Sequence, residues 1–170
     1  MLSGGLRDLI YMKRNHAENN KTGGTMKTYN FYGWEQAIIP AVTDEYPTIY
    51  TPQDLYDALL HIWCTDTCAP RMRKRWSKDN PTFGQCSITA FLAQDIFGGE
   101  VYGIIRPDGN YHCYNVIGDC VFDLTSEQFG DEKLCYENNP EQLREVHFAK
   151  EEKRLRYEYL CEKLKAYCER

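Results

Sequence analysis

The sequence lacks several features that would name a chemistry at once. It has no CxxC pair, no internal repeat and no run long and apolar enough to span a bilayer. A structural zinc site therefore lacks its usual ligand pairs, and no contact with a membrane is expected. The N-terminus shows no apolar core of a secretory signal, so none is expected. Strong charge is missing too. Twenty Lys and Arg against 25 Asp and Glu leave a net charge of −5, which argues against nucleic acid as a partner. Basic residues crowd together in Arg71-Met72-Arg73-Lys74-Arg75, which reads as a solvated helix face; contact with a phosphate or an anionic peptide is the alternative.

What the chain does have is thiol. Eight cysteines in 170 residues fall below the density of a disulfide scaffold, so they are expected reduced, in a cytoplasmic setting. The length suits one domain with a sizeable core. Residues 1–25 read as a flexible N-terminal arm, because 16–24 are polar and aperiodic. Met26 follows Gly23-Gly24, a pair that a translated ribosome-binding site would encode, which offers Met26 as an alternative start. Residues 26–170 are expected to form a single α+β domain.

Within it, 27–50 is aromatic-rich and broken by Pro40 and Pro47, hence irregular. Thr51-Pro52-Gln53-Asp54 starts a helix, with Thr as cap, Pro first and an acid in the first turn. This helix is expected to end near 64–68, and a second, basic one runs through Met72 to Trp76. Thr82 and Gln85 fit a capping box for the apolar helix Cys86–Phe97, which Gly98-Gly99 ends. That helix is apolar almost all round, so it is expected to be buried. Strands follow at about 100–106, 111–117 and 120–125, turned by 107–110 and by Gly118-Asp119. A long charged helix over 149–168 carries Leu155, Leu160, Leu164 and Tyr167 on its apolar side.

The turns imply a geometry. A two-residue turn at Gly118-Asp119 pairs Ile117 with Cys120 and makes His112 and Asp123 diagonal neighbours on one face. A four-residue first loop pairs Ile105 with His112 and Gly103 with Tyr114. That face then carries Val101, Gly103, Ile105, Tyr114, Val116 and Val121 around His112 and Asp123. The helix headed by Cys86 is expected to cover it. Cys113 and Cys120 fall on the opposite face and leave consideration. A thiol at a helix start, an imidazole and a carboxylate make a nucleophile site: the helix N-terminus and an imidazolium favour thiolate, and the acid holds the ring. The Cys86 backbone N–H and one side-chain donor would meet the developing oxyanion. The structural alternative is a buried cysteine beside an ordinary His–Asp hydrogen bond.

The residues Trp76, Asn80-Pro81-Thr82, Gly84-Gln85-Cys86-Ser87-Ile88-Thr89-Ala90, Gln94-Asp95, Phe97-Gly98-Gly99-Glu100, Tyr111-His112, Asn115, Asp123-Leu124-Thr125 and Gln128-Phe129 together resemble the YunG-like family of small bacterial proteins. The likeness spans roughly 52–165. That family is distantly similar to the papain/transglutaminase-like superfamily, in which a cysteine-headed helix packs on a small antiparallel sheet. The resemblance implies Cys86 as nucleophile, His112 as base and Asp123 as orienting acid. A glutamine ahead of the nucleophile donates to the oxyanion in papain-like enzymes; Gln85 and Asn80 are the candidates here.

Three readings follow. The first is a cysteine hydrolase or acyl transferase acting on an amide, ester or thioester of a peptide or small molecule, with no dissociable cofactor and no metal. The second is a non-catalytic papain-like binding module. The third is a zinc or redox protein using the surplus thiols, for which His61, Cys64 and Cys68 share a helix face. Substrate and oligomeric state are left open.

Overall fold

A computed structural model describes residues 27–170. The proposed arm, the alternative start at Met26, and His16 lie outside the described residues. The architecture is α+β. Its elements in order are helix α1 (Pro52–Ile62), a 3-10 turn (Pro70–Arg75), helix α2 (Cys86–Phe97), strands β1 (Glu100–Ile105), β2 (Tyr111–Ile117) and β3 (Cys120–Phe122), a 3-10 turn (Ser126–Phe129), and helices α3 (Arg144–Phe148) and α4 (Glu151–Cys168). The strands form an antiparallel sheet in the order β1-β2-β3.

The start of α1 follows from its first four residues. The Thr51 hydroxyl accepts from the Asp54 N–H, and the Asp54 carboxylate accepts from the Thr51 N–H at 3.0 Å. This reciprocal pair satisfies two donors that a helix end leaves orphaned. The helix stops at Ile62, short of the expected 64–68. The basic stretch forms one 3-10 turn, because Pro70 opens it and Trp76 returns to extended backbone.

Helix α2 is apolar all round because it has two partners. Ile88, Leu92 and Ile96 enter the main core with Phe31, Leu55, Leu59, Phe122, Leu160 and Leu164. On another side, Ala90 and Phe91 pack with Val101 of β1 and Cys113 of β2. Each fully buried aliphatic side chain contributes about 1.5–3 kcal/mol relative to exposure. Gly98 ends the helix at φ 81°. The expected Thr82–Gln85 capping box does not form. Gln85 occupies the cap position with helical backbone and no capping bond, while the Thr82 hydroxyl donates to Asn80 Oδ1 at 3.3 Å.

The second hairpin has the expected register, Ile117 opposite Cys120. The first is shifted by one residue: Ile104 lies opposite His112, and Gly103 opposite Cys113. Its loop runs over 106–110, one residue longer than expected, and that extra residue turns β1 over. Val101 and Gly103 therefore share a face with Cys113, and α2 covers that face. β3 ends at Phe122, and Asp123 continues as a bridge to Tyr32, its N–H donating to the Tyr32 carbonyl at 3.0 Å. On α4, Leu160 and Leu164 are buried as expected, but Leu155 is half exposed and Arg156 takes the inward position. Its guanidinium is satisfied there by the Thr67 carbonyl at 3.0 Å and Glu152 at 2.9 Å. Among the described residues, no helix is long and apolar enough to cross a membrane.

Candidate active site

Cys86 is the first residue of α2. Gly84, two positions ahead, holds φ at 73°, and a Cβ there would stand 2.6 Å from the Cys68 sulfur. Glycine is thus required for the turn that delivers the thiol to the helix head. Cys86 is partly exposed and lines a cavity of about 800 Å³ together with Tyr111, His112, Gln128, Phe129 and Lys153.

His112 on β2 and Asp123 beyond β3 are 2% and 1% exposed. The ring Nε2 donates to Asp123 Oδ2 at 2.6 Å. The same oxygen accepts the Tyr136 hydroxyl at 2.9 Å, while Oδ1 accepts the Thr125 N–H at 3.0 Å and its hydroxyl at 3.2 Å. Four donors make this a satisfied buried carboxylate. They also fix the ring: with Nε2 committed to the acid, Nδ1 is the nitrogen left over. Nδ1 is buried and holds no hydrogen bond. Phe129 meets the His112 ring edge-on at 4.7 Å, and Tyr136 stacks on Tyr32 at 3.8 Å. The segment after β3, not α2, therefore roofs the His112–Asp123 face.

Cys113, set aside on strand parity, is a neighbour of Cys86, because α2 lies on the Cys113 face. The Cys86 thiol is held well below the usual thiol range. A hydrogen bond from the Cys113 side chain favours the thiolate, burial opposes it, and the His112 cation and the Cys113 backbone N–H add to the first effect. Cys113 is pushed well above the usual range by Cys86 and by burial, so it stays a donor. Burial disfavours the His112 cation, but the Asp123 carboxylate and the Cys86 thiolate outweigh it and raise the ring to about 10. Both shifts run in the direction of a thiolate beside an imidazolium.

Neither expected oxyanion donor lines the cavity. The Gln85 side chain is fully buried and donates to the Cys64 carbonyl at 3.1 Å, leaving its Oε1 unpaired. Asn80 lines a separate depression with Tyr56 and Glu127. Three side-chain amides do line the Cys86 cavity, Asn110, Gln128 and Gln142; of these, Gln128 donates to the Thr125 carbonyl at 2.9 Å and accepts the Gly84 N–H at 3.4 Å. Gln128 belongs to the quoted motif, but its adjacency to Cys86 needs the chain to turn back after β3.

Sequence reasoning also missed His147 and Lys153. His147 Nδ1 accepts from Lys153 Nζ at 2.9 Å, and its Nε2 donates to Gln142 Oε1 at 2.9 Å. Burial and the Lys153 ammonium lower His147 to about 4, so it is the neutral acceptor. No spacing in the sequence announces this relay, whose members come from α3, α4 and the coil before them. His61 stacks on Tyr167 at 5.7 Å, and Cys68 turns to the Phe83 carbonyl at 3.3 Å. Among the described residues, no three His, Cys, Asp or Glu side chains converge as a metal-ligand set.

A family model described as "YunG protein" matches residues 51–169. A protein of Bacillus subtilis (strain 168) named "Uncharacterized protein YunG" is 46% identical over 55 residues, which cover 32% of this chain and 47% of that protein. The chain thus spans about half the length of that relative. No solved structure matches the chain.

Proposed function

From a chain that belongs to the YunG family, we propose a cysteine-dependent hydrolase or acyl transferase acting on an amide, ester or thioester, with a papain/transglutaminase-like arrangement of its parts. The observation that carries this reading is the arrangement of the three groups: a cysteine at a helix head, open to a cavity that His112 also lines, with the imidazole's Nε2 2.6 Å from a buried carboxylate.

In this reading the Cys86 sulfur attacks the acyl carbon. The C–S bond forms as the carbonyl π pair moves to oxygen. The Cys86 backbone N–H at the start of α2 faces that oxyanion, since the first N–H groups of a helix have no internal partner. Collapse expels the amine, alcohol or thiol leaving group, which takes its proton from the His112 cation. The neutral ring then removes a proton from water, or from an acceptor nucleophile, and the second attack releases Cys86. Asp123 holds the ring's orientation and stabilises its cation throughout.

Incubation with p-nitrophenyl acetate tests the reading. The expected result is a burst of p-nitrophenol matched by an acetyl group on Cys86, lost in Cys86→Ala and in His112→Ala. Acetylation no faster than that of a small-molecule thiol would sink it and leave a binding module as the better account.

A further inference from the structure

The chain as a whole is acidic, yet the cavity at Cys86 is cationic. Three arginines line it, and each is answered by a carboxylate: Arg71 by Asp108 at 3.1 Å, Arg106 by Glu132 at 2.8 Å and Arg156 by Glu152 at 2.9 Å. Lys150 and Lys153 also line it, and among the described residues neither has a carboxylate within ion-pair distance. Lys153 is partly buried and is held from behind. The neutral His147 ring accepts one of its N–H bonds, and Gln142 fixes that ring from the other side. The ammonium carries three donors, so two stay available. Gln142 is itself packed against Gly103, where any Cβ would stand 2.7 Å from its amide. The relay is therefore rigid from the sheet outward.

A half-buried ammonium backed by a neutral acceptor and a second free lysine makes an anion subsite. We propose that the Cys86 cavity takes an acyl substrate bearing an anionic group, a carboxylate or a phosphate, which docks on Lys153 with Lys150 beside it. The proposal rests on the reading of Cys86 as the nucleophile and names the substrate class for it. The cavity, about 800 Å³, suits a small molecule or a peptide end, and Met72, Phe129 and Val146 give the remainder of such a substrate apolar walls.

Two alkylating agents of nearly equal size test it, anionic iodoacetate and neutral iodoacetamide. Both consume the same thiolate, so the ratio of their rates at Cys86 cancels any change in thiolate fraction. The His112 cation raises this ratio in every variant, so the comparison is between wild type and Lys153 variants. Lys153→Met is expected to lower the ratio about tenfold, the scale of one charge-assisted hydrogen bond, and Lys153→Arg to keep most of it. A ratio unchanged in Lys153→Met overturns the proposal. Slow labelling of wild type by both reagents would instead overturn the nucleophile reading, so the two failures are distinct. Should Lys153→Met fail to fold, protection of wild-type Cys86 from iodoacetate decides. Protection by acetate alone marks a carboxylate site, by inorganic phosphate alone a phosphate site, and by both a general anion site; protection by neither overturns the proposal.

Discussion

Tyr136 donates its hydroxyl to the same oxygen of Asp123 that His112 uses, at 2.9 Å and 2.6 Å respectively. One carboxylate oxygen thus ties the imidazole to the roof above it. Tyr136→Phe removes a hydrogen bond to a charged group, and about 1–2 kcal/mol of stability should go with it. Urea denaturation measures this. Cys86 alkylation should change by less than about threefold, because the His112–Asp123 contact survives.

Asp123→Asn keeps the shape and removes the charge that opposes burial at His112. The ring then loses its cation near neutrality, and with it one support of the Cys86 thiolate. Alkylation by iodoacetamide at about pH 6 should fall roughly tenfold to a hundredfold, as one or two units of thiol shift imply. A rate equal to wild type would mean that the acid plays no part in the state of the sulfur.

Cys113→Ala removes the hydrogen bond that does most to hold Cys86 low. The acid limb of the pH profile for Cys86 alkylation should move up by about one unit, a factor of about ten in rate along that limb. The plateau above it should stay. An unmoved limb would show that the two thiols do not share a proton.

The stability contributed by the His112 cation has a definite pH window. The folded-state value lies above the usual 6.5 and reaches about 10 with both anions in place. A raised value gives stability that is complete below about 6.5 and is lost as pH climbs toward about 10. Cys86→Ala isolates the Asp123 contribution, which keeps the same sign and ends at or below that upper value. The difference in unfolding free energy between Cys86→Ala and Cys86→Ala/His112→Asn should therefore shrink from about pH 6 upward. A difference that is flat with pH contradicts this.

Gly84→Ala forces a left-handed backbone onto alanine and drives its Cβ into the Cys68 sulfur. About 2–3 kcal/mol of stability should be lost, with Cys86 alkylation slowed as the helix head shifts. Thermal unfolding and the labelling rate measure the two effects.

The sequence was most legible where local chemistry decides. The Thr51 cap, the stop at Gly98 and the Gly118-Asp119 turn are each set by residues in contact along the chain, although the reciprocal box expected at Thr82–Gln85 forms instead at Thr51–Asp54. The turn's register brings Asp123 to His112. The first hairpin was not legible, because its loop gives no sign whether four or five residues close it, and one residue inverts β1. That inversion put α2 on the Cys113 face and returned a discarded thiol to the site. Arg156 was unreadable for a related reason: a charged residue enters a helix's inner face only if a distant carbonyl, here that of Thr67, waits for it. Gln128, His147 and Lys153 reach the Cys86 cavity through segments far apart in sequence, so no spacing could have announced them.

The stretch matched by the family model begins at residue 51, yet the third strand is not finished without residues ahead of it. The Tyr32 carbonyl receives the Asp123 N–H, its N–H donates to Ser126 Oγ at 2.8 Å, and its ring lies flat on Tyr136. A protein trimmed to the shared portion would thus expose a raw β-edge at the acid itself and strip one pane from the roof that keeps it dry. The upstream residues act as a gasket for the charge couple and, through Phe31 and Ile49, as part of the core under the helices, so excising them should both wet the acid and loosen the helices.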